Sequence, residues 1–569
     1  MGSGHSDSTL ATSEQSSHSA PSVEKPTTQT MSRWTRSEGE DVPIEGAAAA
    51  PDLSPNRSTE GGSANLQRSP SYGNGYGCTA FNDDEGTTKD AEKGQDPNKQ
   101  FEVRFDGDSD PMNPRSLSKT RKWVIVAIVS AGSTCVTCAS SMYTLTYGQI
   151  TTEFHVSRVV ATLGLSLFVM GLGLGPMILG PLSEFYGRRP VYVFSFGCFL
   201  VWLIPCAVAE NIGTELVSRF IDGIAGSAFL SVAGGTVGDM FVRNELQAPM
   251  MIFTASPFIG PPVGPIIAGF INQYTTWRWT FYVLIIWSAL MLGLIVLGVP
   301  ETYHPVLLRH KAAKLRKETG DERWKAPIEI MQRSILQTIL RSCYRPFLLL
   351  TLEPMVLNLC LFSAILLGVL YLFFGAFEIV FTNNHGFELW QVGLSFTGLL
   401  VGQLVAIGTD PLWHNNYLRL LRKKEEEDGE SGGSEPEYRL PPAIAGGILV
   451  PIGLFWFAWT TYASVHWIVP IIGSAIFAAG MLLTFSGIFT FLVDAYPLYA
   501  ASALAANSFA RSSFAAAFPL FGDQMYNKLG YQWATTLLAG LTVIMAPFPY
   551  LFFRFGRRIR GNSRFASGR

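Results

Sequence analysis

Twelve apolar runs, each close to the length that spans a bilayer, dominate the chain and leave few folds open to it. About 20 apolar residues carry a helix across the hydrocarbon. Inside it every backbone polar group must be satisfied within the protein, which leaves bundled helices as the solution for runs of this kind. The first six runs are Trp123 to Tyr147, Val159 to Pro181, Pro190 to Ala209, Gly213 to Phe241, Pro249 to Ile271 and Trp279 to Val299. A charged segment, Glu301 to Arg345, separates them from the second six: Pro354 to Phe377, Trp390 to Trp413, Pro441 to Tyr462, Trp467 to Val493, Ala500 to Gly522 and Trp533 to Phe555. Composition agrees, since 48% of the 569 residues are hydrophobic and only 15% are charged. A mean hydropathy of +0.23 completes the profile of an all-α polytopic membrane protein.

The distribution of basic residues orients the runs independently of hydropathy. Lys119, Arg121 and Lys122 stand directly before Trp123, and Arg188, Arg189, Arg243, the cluster from Arg309 to Arg345, Arg419 to Lys424 and Arg554 to Arg560 fall on the same side. The opposite loops hold only Arg158, Arg278 and Lys528. Both termini are therefore expected in the cytosol of a multi-pass protein, most simply one of the plasma membrane, with the vacuolar membrane as the alternative. The division that follows is a cytosolic tail over 1–115, a six-helix bundle over 116–300, a cytosolic loop over 301–345, a second bundle over 346–556 and a short tail over 557–569. The first hundred residues contain Ser, Gly, Pro, Asn and charge without an apolar signal segment, so they are expected to be disordered. In a cytosolic tail the Asn56-Arg57-Ser58 glycosylation match has no meaning. The loop LLRHKAAKLRKETGDERWK is read either as amphipathic helix on the membrane surface or as a solvated linker.

Several function classes are excluded. A net charge of -2, segregated into loops and tails, offers no face to nucleic acid. Cys135, Cys138, Cys198, Cys206 and Cys360 lie inside apolar runs and read as core residues, and the Cys135/Cys138 pair has no second pair to complete a metal site. The eight histidines are scattered, which argues against an enzyme. The chain has no Gly-x-x-x-x-Gly-Lys loop for ATP, and two similar bundles do not suit a channel filter.

Three stretches carry chemistry. The first is GPLSEFYGRRP, Gly180 to Pro190, where an acid, Glu184, and two cations, Arg188 and Arg189, meet at a helix junction. Such charges can pair, and an acid there can face a helix N-terminus, so the loop can latch one conformation. The second is Arg219 with Asp222, three residues apart in the fourth run and within reach of one another on one helix. An arginine at that depth costs about 2.5 to 3.5 kcal/mol and calls for a partner. The third is Gly260-Pro261-Pro262-Val263-Gly264-Pro265 with Ala268 and Gly269, glycines and prolines that make a tightly apposed, bendable helix. The glycines Gly171, Gly173 and Gly175 read as close packing alone.

These stretches resemble the major facilitator superfamily. Gly180, Leu182, Gly187, Arg188 and Arg189 match its signature loop between spans two and three, with Glu184 in place of Asp and Phe185 in place of a basic residue. Arg219 matches the arginine of its fourth-span pattern, associated with proton coupling, with Asp222 where Gln is usual. Gly260, Gly264, Pro265 and Gly269 match its antiporter signature in span five, with Pro261 beside them. Together with Pro300-Glu301-Thr302-Tyr303, Leu440-Pro441-Pro442-Ala443, Val493 to Tyr496 and Ala503 to Phe509, they resemble the fungal twelve-span drug:proton antiporters, which include polyamine and multidrug exporters. The resemblance implies a major facilitator fold of two bundles in pseudo-twofold arrangement. It implies a monomeric proton-coupled exporter of small amphipathic or cationic organic compounds, driven by a proton gradient and needing no cofactor or metal. Uptake of a small nutrient on the same fold is the first alternative, and a membrane sensor without turnover the second. The substrate would sit between the halves, with Tyr143, Tyr147, Asn358, Phe485 and Asn507 as candidates for the cavity wall. Glu378 and Arg511 are the other charges in or beside a run.

Overall fold

The computed structural model describes residues 101–569 apart from 108–109, 243–244, 331–334, 429–434, 562, 564 and 567–569. The expectations for the tail before residue 101, for Asn56 and for Arg243 lie outside the described residues. The helices are α1 (Lys119–Phe154), α2 (Arg158–Tyr186), α3 (Arg188–Ala207), α4 (Ile212–Met240), α5 (Ala248–Tyr274), α6 (Arg278–Gly298), α7 (His304–Thr319), α8 (Ile335–Leu352), α9 (Pro354–His385), α10 (Leu389–Glu426), α11 (Pro441–Thr460), α12 (Ile468–Ala495), α13 (Ala500–Leu529) and α14 (Tyr531–Arg560). Their ends follow local chemistry. Ser118, Ser157 and Asn211 each accept a backbone amide at the starts of α1, α2 and α4. Glu388 and Gln391 form a capping box at α10, and Gly386 closes α9 in the left-handed conformation.

Eleven of these helices are long and apolar enough to cross a membrane, so the chain is a multi-pass membrane protein. The twelfth expected span is α13, 30 residues long but interrupted by Asn507, Ser508, Arg511, Ser512 and Ser513. It escapes the hydropathy criterion because of where it packs, between α9 of its own half and α2 of the other, so its polar residues face protein rather than lipid. Lipid-facing helices show the converse, with Leu297 on α6 88% exposed.

α1 to α6 form one half and α9 to α14 the other. The halves meet along two pairs, α2 with α13 and α5 with α10. Exchanging the halves converts the second-and-eleventh span pair into the eighth-and-fifth, so a pseudo-twofold axis relates the two seams. Between the halves, α8 packs on α2, α9 and α13, with Phe347 against Phe509 at 5.0 Å, while Leu340, Tyr344 and Leu352 stay exposed. α7 carries a small core of its own, in which Val103, Leu308, Ala312 and Ala326 are buried together. The backbone of Phe101 and Val103 pairs with Lys325, and Lys311 holds Asp106 at 2.6 Å and Asp110 at 2.7 Å. The chain just before α1 is thus clasped to the inter-half segment.

Candidate functional site

A cavity of about 250 Å³ lies between the halves. It runs from the face that gathers the basic loops, where Glu184, Arg188, Ser342 and Ser502 line it, to mid-span, where Thr137, Pro261, Tyr371 and Arg511 do. Beyond that point the halves are joined. Ser140 and Tyr371 share a hydrogen bond of 2.9 Å, and the amide of Leu389 donates to Gln273 Oε1 at 3.1 Å. At the far face Arg158 of α2 lies 2.6 Å from Glu378 of α9 and 2.5 Å from Asp523 of α13.

None of the five sequence candidates for the cavity wall lines this cavity. Tyr143 is buried in the first half and donates to Ala161 O at 3.0 Å, and Tyr147 is buried beneath Arg158. Asn358 bonds within its own helix, to Pro354 O at 2.8 Å. Asn507 donates to Ser363 Oγ at 3.1 Å inside the second half. Phe485 stacks behind the wall, on Phe258 at 4.9 Å, and it is Phe258 and Phe489 that reach the cavity. The sequence locates these residues along their helices but leaves the rotation of each helix undetermined.

Arg219 is fully buried, 0% exposed, seven residues inside α4 and so about 10 Å from its start. The partner that the spacing suggests, Asp222, makes no hydrogen bond with it; neither carboxylate oxygen of Asp222 has a hydrogen-bond partner. Arg219 reaches across to α1 instead. Its Nη2 donates to Ala139 O at 3.1 Å, just before α1 tightens into the 3-10 turn Tyr143–Thr146, and its guanidinium lies over the rings of Phe168 (4.2 Å) and Tyr143 (4.7 Å). A third member that sequence reasoning missed, Glu215, is also fully buried, one turn before Arg219. Glu215, Arg219 and Asp222 occupy i, i+4 and i+7 of one helix face, a spacing that is visible in the sequence. Arg219 attracts both carboxyls through space, but no close ion pair joins the three among the described residues, so their burial is costly.

The loop Gly180 to Pro190 is held by acids from elsewhere in the chain. Arg188 is buried, with Nε 3.3 Å from Asp239 at the end of α4, Nη1 donating to Ser183 Oγ at 2.6 Å and its guanidinium 4.7 Å from the ring of Tyr303. Glu184 adds an attractive charge to Arg188 from the cavity mouth. The acid at the helix N-terminus is Glu301, whose carboxylate accepts the amides of Arg188 (2.9 Å) and Arg189 (3.1 Å) at the start of α3 and those of Thr302 and Tyr303. Gly187 stands at φ +102, and a Cβ there would strike the Glu301 carboxylate, so both its conformation and its lack of a side chain are required. The second half repeats the arrangement in the loop before α11: Arg439 reaches Asp494 of α12 at 2.8 Å and Glu437 holds Arg560 of α14 at 2.7 Å.

On α5 the small residues face two ways. A Cβ at Gly260 or Gly264 would meet Thr137 or Ser141 of α1, while Gly269 approaches Leu389 O of α10, at 3.0 Å from where a Cβ would stand. Cys138 donates its thiol to Gly260 O at 3.3 Å and so serves this packing, while Cys135 lies against Ser288 of α6. α5 is pressed between its own half and the other.

Two six-helix halves meeting along symmetry-related seams around a central cavity define the architecture of a secondary transporter. The chain belongs to the Major Facilitator Superfamily, whose family model matches residues 129–519. It is 61% identical over 469 residues to a protein named "Efflux pump atB" from Aspergillus terreus, covering 82% of this chain and 90% of that one. It is 41% identical over 480 residues to "Probable drug/proton antiporter YHK8" from Saccharomyces cerevisiae, covering 84% and 92%. Among solved structures it is similar in fold to the xylose transporter XylE from E. coli in an inward open conformation, with a TM-score of 0.54 at 15% identity over 76% of this chain and 96% of that one.

Proposed function

We propose that this protein is a proton-coupled exporter that takes a small organic compound from the cytosol and releases it outside in exchange for a proton. The observation that carries the reading is the central cavity, which reaches the basic face and is closed at the far face by Arg158, Glu378 and Asp523. By the positive-inside rule the basic face is cytosolic, so a substrate enters from the side holding both termini. The names of the relatives, an efflux pump and a drug/proton antiporter, support export.

The proton-coupling residues are Glu215, Arg219 and Asp222. With both carboxyls ionised the cluster carries one net negative charge, and uptake of one proton brings it to zero, which lets it cross between two protein environments at lower cost. One proton per cycle is adequate: a unit of pH is worth about 1.4 kcal/mol and 100 mV about 2.3 kcal/mol. The latch comprises Gly180, Glu184, Gly187, Arg188 and Arg189 with Asp239 and Glu301, and the α5 residues Gly260, Pro261, Gly264, Pro265 and Gly269 form the flexible seam. The protein acts as a monomer of the plasma membrane. Reconstitution with an imposed pH gradient tests the reading: addition of substrate should accelerate proton entry, and a substrate that moves without protons would refute it.

A further inference from the structure

Glu215 lies in the first turn of α4, about 4.5 Å along the axis from the helix start, and α4 starts at the far face. Its side chain is fully buried, and neither carboxylate oxygen has a hydrogen-bond partner. The titratable and charged groups that act on it are Arg219 and Asp222 of its own helix, Cys206 at the end of α3, Tyr143 of α1 and Arg278 of α6. Of these groups only Arg278 keeps part of its side chain exposed. It is pinned across the far end of the first half. Nη1 lies 2.7 Å from Glu153, near the end of α1, and Nη2 donates to Ala209 O at 2.9 Å. The guanidinium lies 4.5 Å from the ring centre of Trp277, whose Nε1 donates to Glu153 at 2.6 Å. The ion pair of Arg278 and Glu153 thus stands between Glu215 and the water of the far face.

The central cavity does not serve Glu215, since none of Glu215, Arg219 and Asp222 lines it. Asp222 is about 10 Å further along the helix, out of direct reach from the far face. We infer that the far end of the first half is a proton port, in which Glu215 takes protons from outside past the gate formed by Arg278 and Glu153. The inference rests on the proton-coupling reading above and adds to it the first acceptor and a path apart from the substrate. Hydronium gives its proton to the Glu215 carboxylate and leaves as water, so the site changes by one charge. In this structure the far face is closed at both places, with Arg158 holding the cavity and Arg278 holding the port. Proton and substrate therefore do not compete for one volume, and coupling acts through α4 rather than by displacement.

The test uses the full-length protein and two readouts. Infrared difference spectra over an acid titration follow the carbonyl band of protonated carboxyl groups, and the part lost in Glu215→Gln belongs to Glu215. Arg278→Gln removes a positive charge beside that carboxylate and should move the midpoint of this part up by about 0.5 to 1 pH unit. Glu153→Gln removes a negative charge and should move it down, while Arg278→Lys should restore the parent midpoint. A purely structural role for the pair would not give shifts of opposite sign. In proteoliposomes, mass spectrometry should find residue 215 of Glu215→Cys modified by impermeant (2-sulfonatoethyl)methanethiosulfonate from the far side and not from the basic side, whereas Tyr371→Cys should react from the basic side. Modification of residue 215 from the basic side or from neither, or midpoints that do not move, would overturn the port. If Glu215→Cys does not insert, the midpoints decide, because Arg278→Gln and Glu153→Gln leave Glu215 in place. Opposite shifts and far-side labelling in a protein whose transport ignores an imposed pH gradient would keep the port and remove the coupling reading.

Discussion

Arg158 of α2 and Glu378 of α9 meet at 2.6 Å on the face opposite the basic loops, and this contact ties the first half of the protein to the second. Asp523 of α13 lies on the same guanidinium at 2.5 Å. The cavity must open on this side during a transport cycle, so the three charges have to separate. Arg158→Gln removes the attraction and should shift the population toward the open far face by about three- to tenfold, the effect of roughly 1 kcal/mol in a partly screened pair. Labelling of a Tyr371→Cys variant from that side by an impermeant thiol reagent should rise accordingly; an unchanged rate would show that the pair does not hold the face closed.

Glu301 accepts four backbone amides at the junction of α3 and α7, and Gly187 leaves it room to do so. Glu301→Ala leaves the start of α3 without its acceptor and should cost about 1 to 2 kcal/mol, seen as a lower melting temperature in detergent. Gly187→Ala, which adds both strain at positive φ and a clash, should lower it at least as far. Equal melting temperatures for the parent and both variants would mean that the junction contributes nothing to the fold.

The clasp before α1 should be indifferent to pH across the physiological range. Asp110 feels a raising effect from burial, but Lys311 and the amides of Met112 and Asp106 outweigh it and hold the carboxyl below its ordinary value of 3.8. A depressed carboxyl contributes stability above its unfolded value and loses it as pH falls through the folded one. Burial likewise opposes the charge on Lys311, yet Asp106 and Asp110 raise it above 10.5, so its share is lost only in strong base. Hydrogen exchange at the Val103 amide, bonded to Lys325 O at 3.0 Å, should therefore show constant protection between pH 5 and 9 once the intrinsic rate is divided out. Protection that falls near pH 6 would place another titrating group in the clasp.

Much of the architecture was legible in the sequence because membrane spans announce themselves by length and polarity, and each of the twelve runs has a helix. The helices overrun the runs where polar residues continue them: after a 3-10 turn at Tyr143–Thr146, α1 goes on from Tyr147 to Phe154. α13 shows the opposite problem, since a span shielded by two neighbours can be polar. The site was harder to read. Arg219 was identifiable by its cost in the membrane, but its contacts with Ala139, Phe168 and Tyr143 come from other helices. Glu215 stands at i−4 of Arg219, a spacing that the sequence displays without showing that its side chain is buried beside Arg219. The acids that hold Arg188, Asp239 and Glu301, are 51 and 113 residues away, a distance that local reasoning about Glu184 could not bridge. Arg511 was visible as a charge, but only helix packing brings it to the cavity.

The cluster of Glu215, Arg219 and Asp222 is what should make export depend on protons. The most direct measurement compares the parent with Asp222→Asn and Arg219→Ala in proteoliposomes, following substrate and protons together. Both variants should insert normally; Arg219→Ala should lose proton-driven transport, and Asp222→Asn should still exchange labelled for unlabelled substrate while its pH-driven transport falls at least tenfold. Full proton-driven accumulation by either variant would contradict that role.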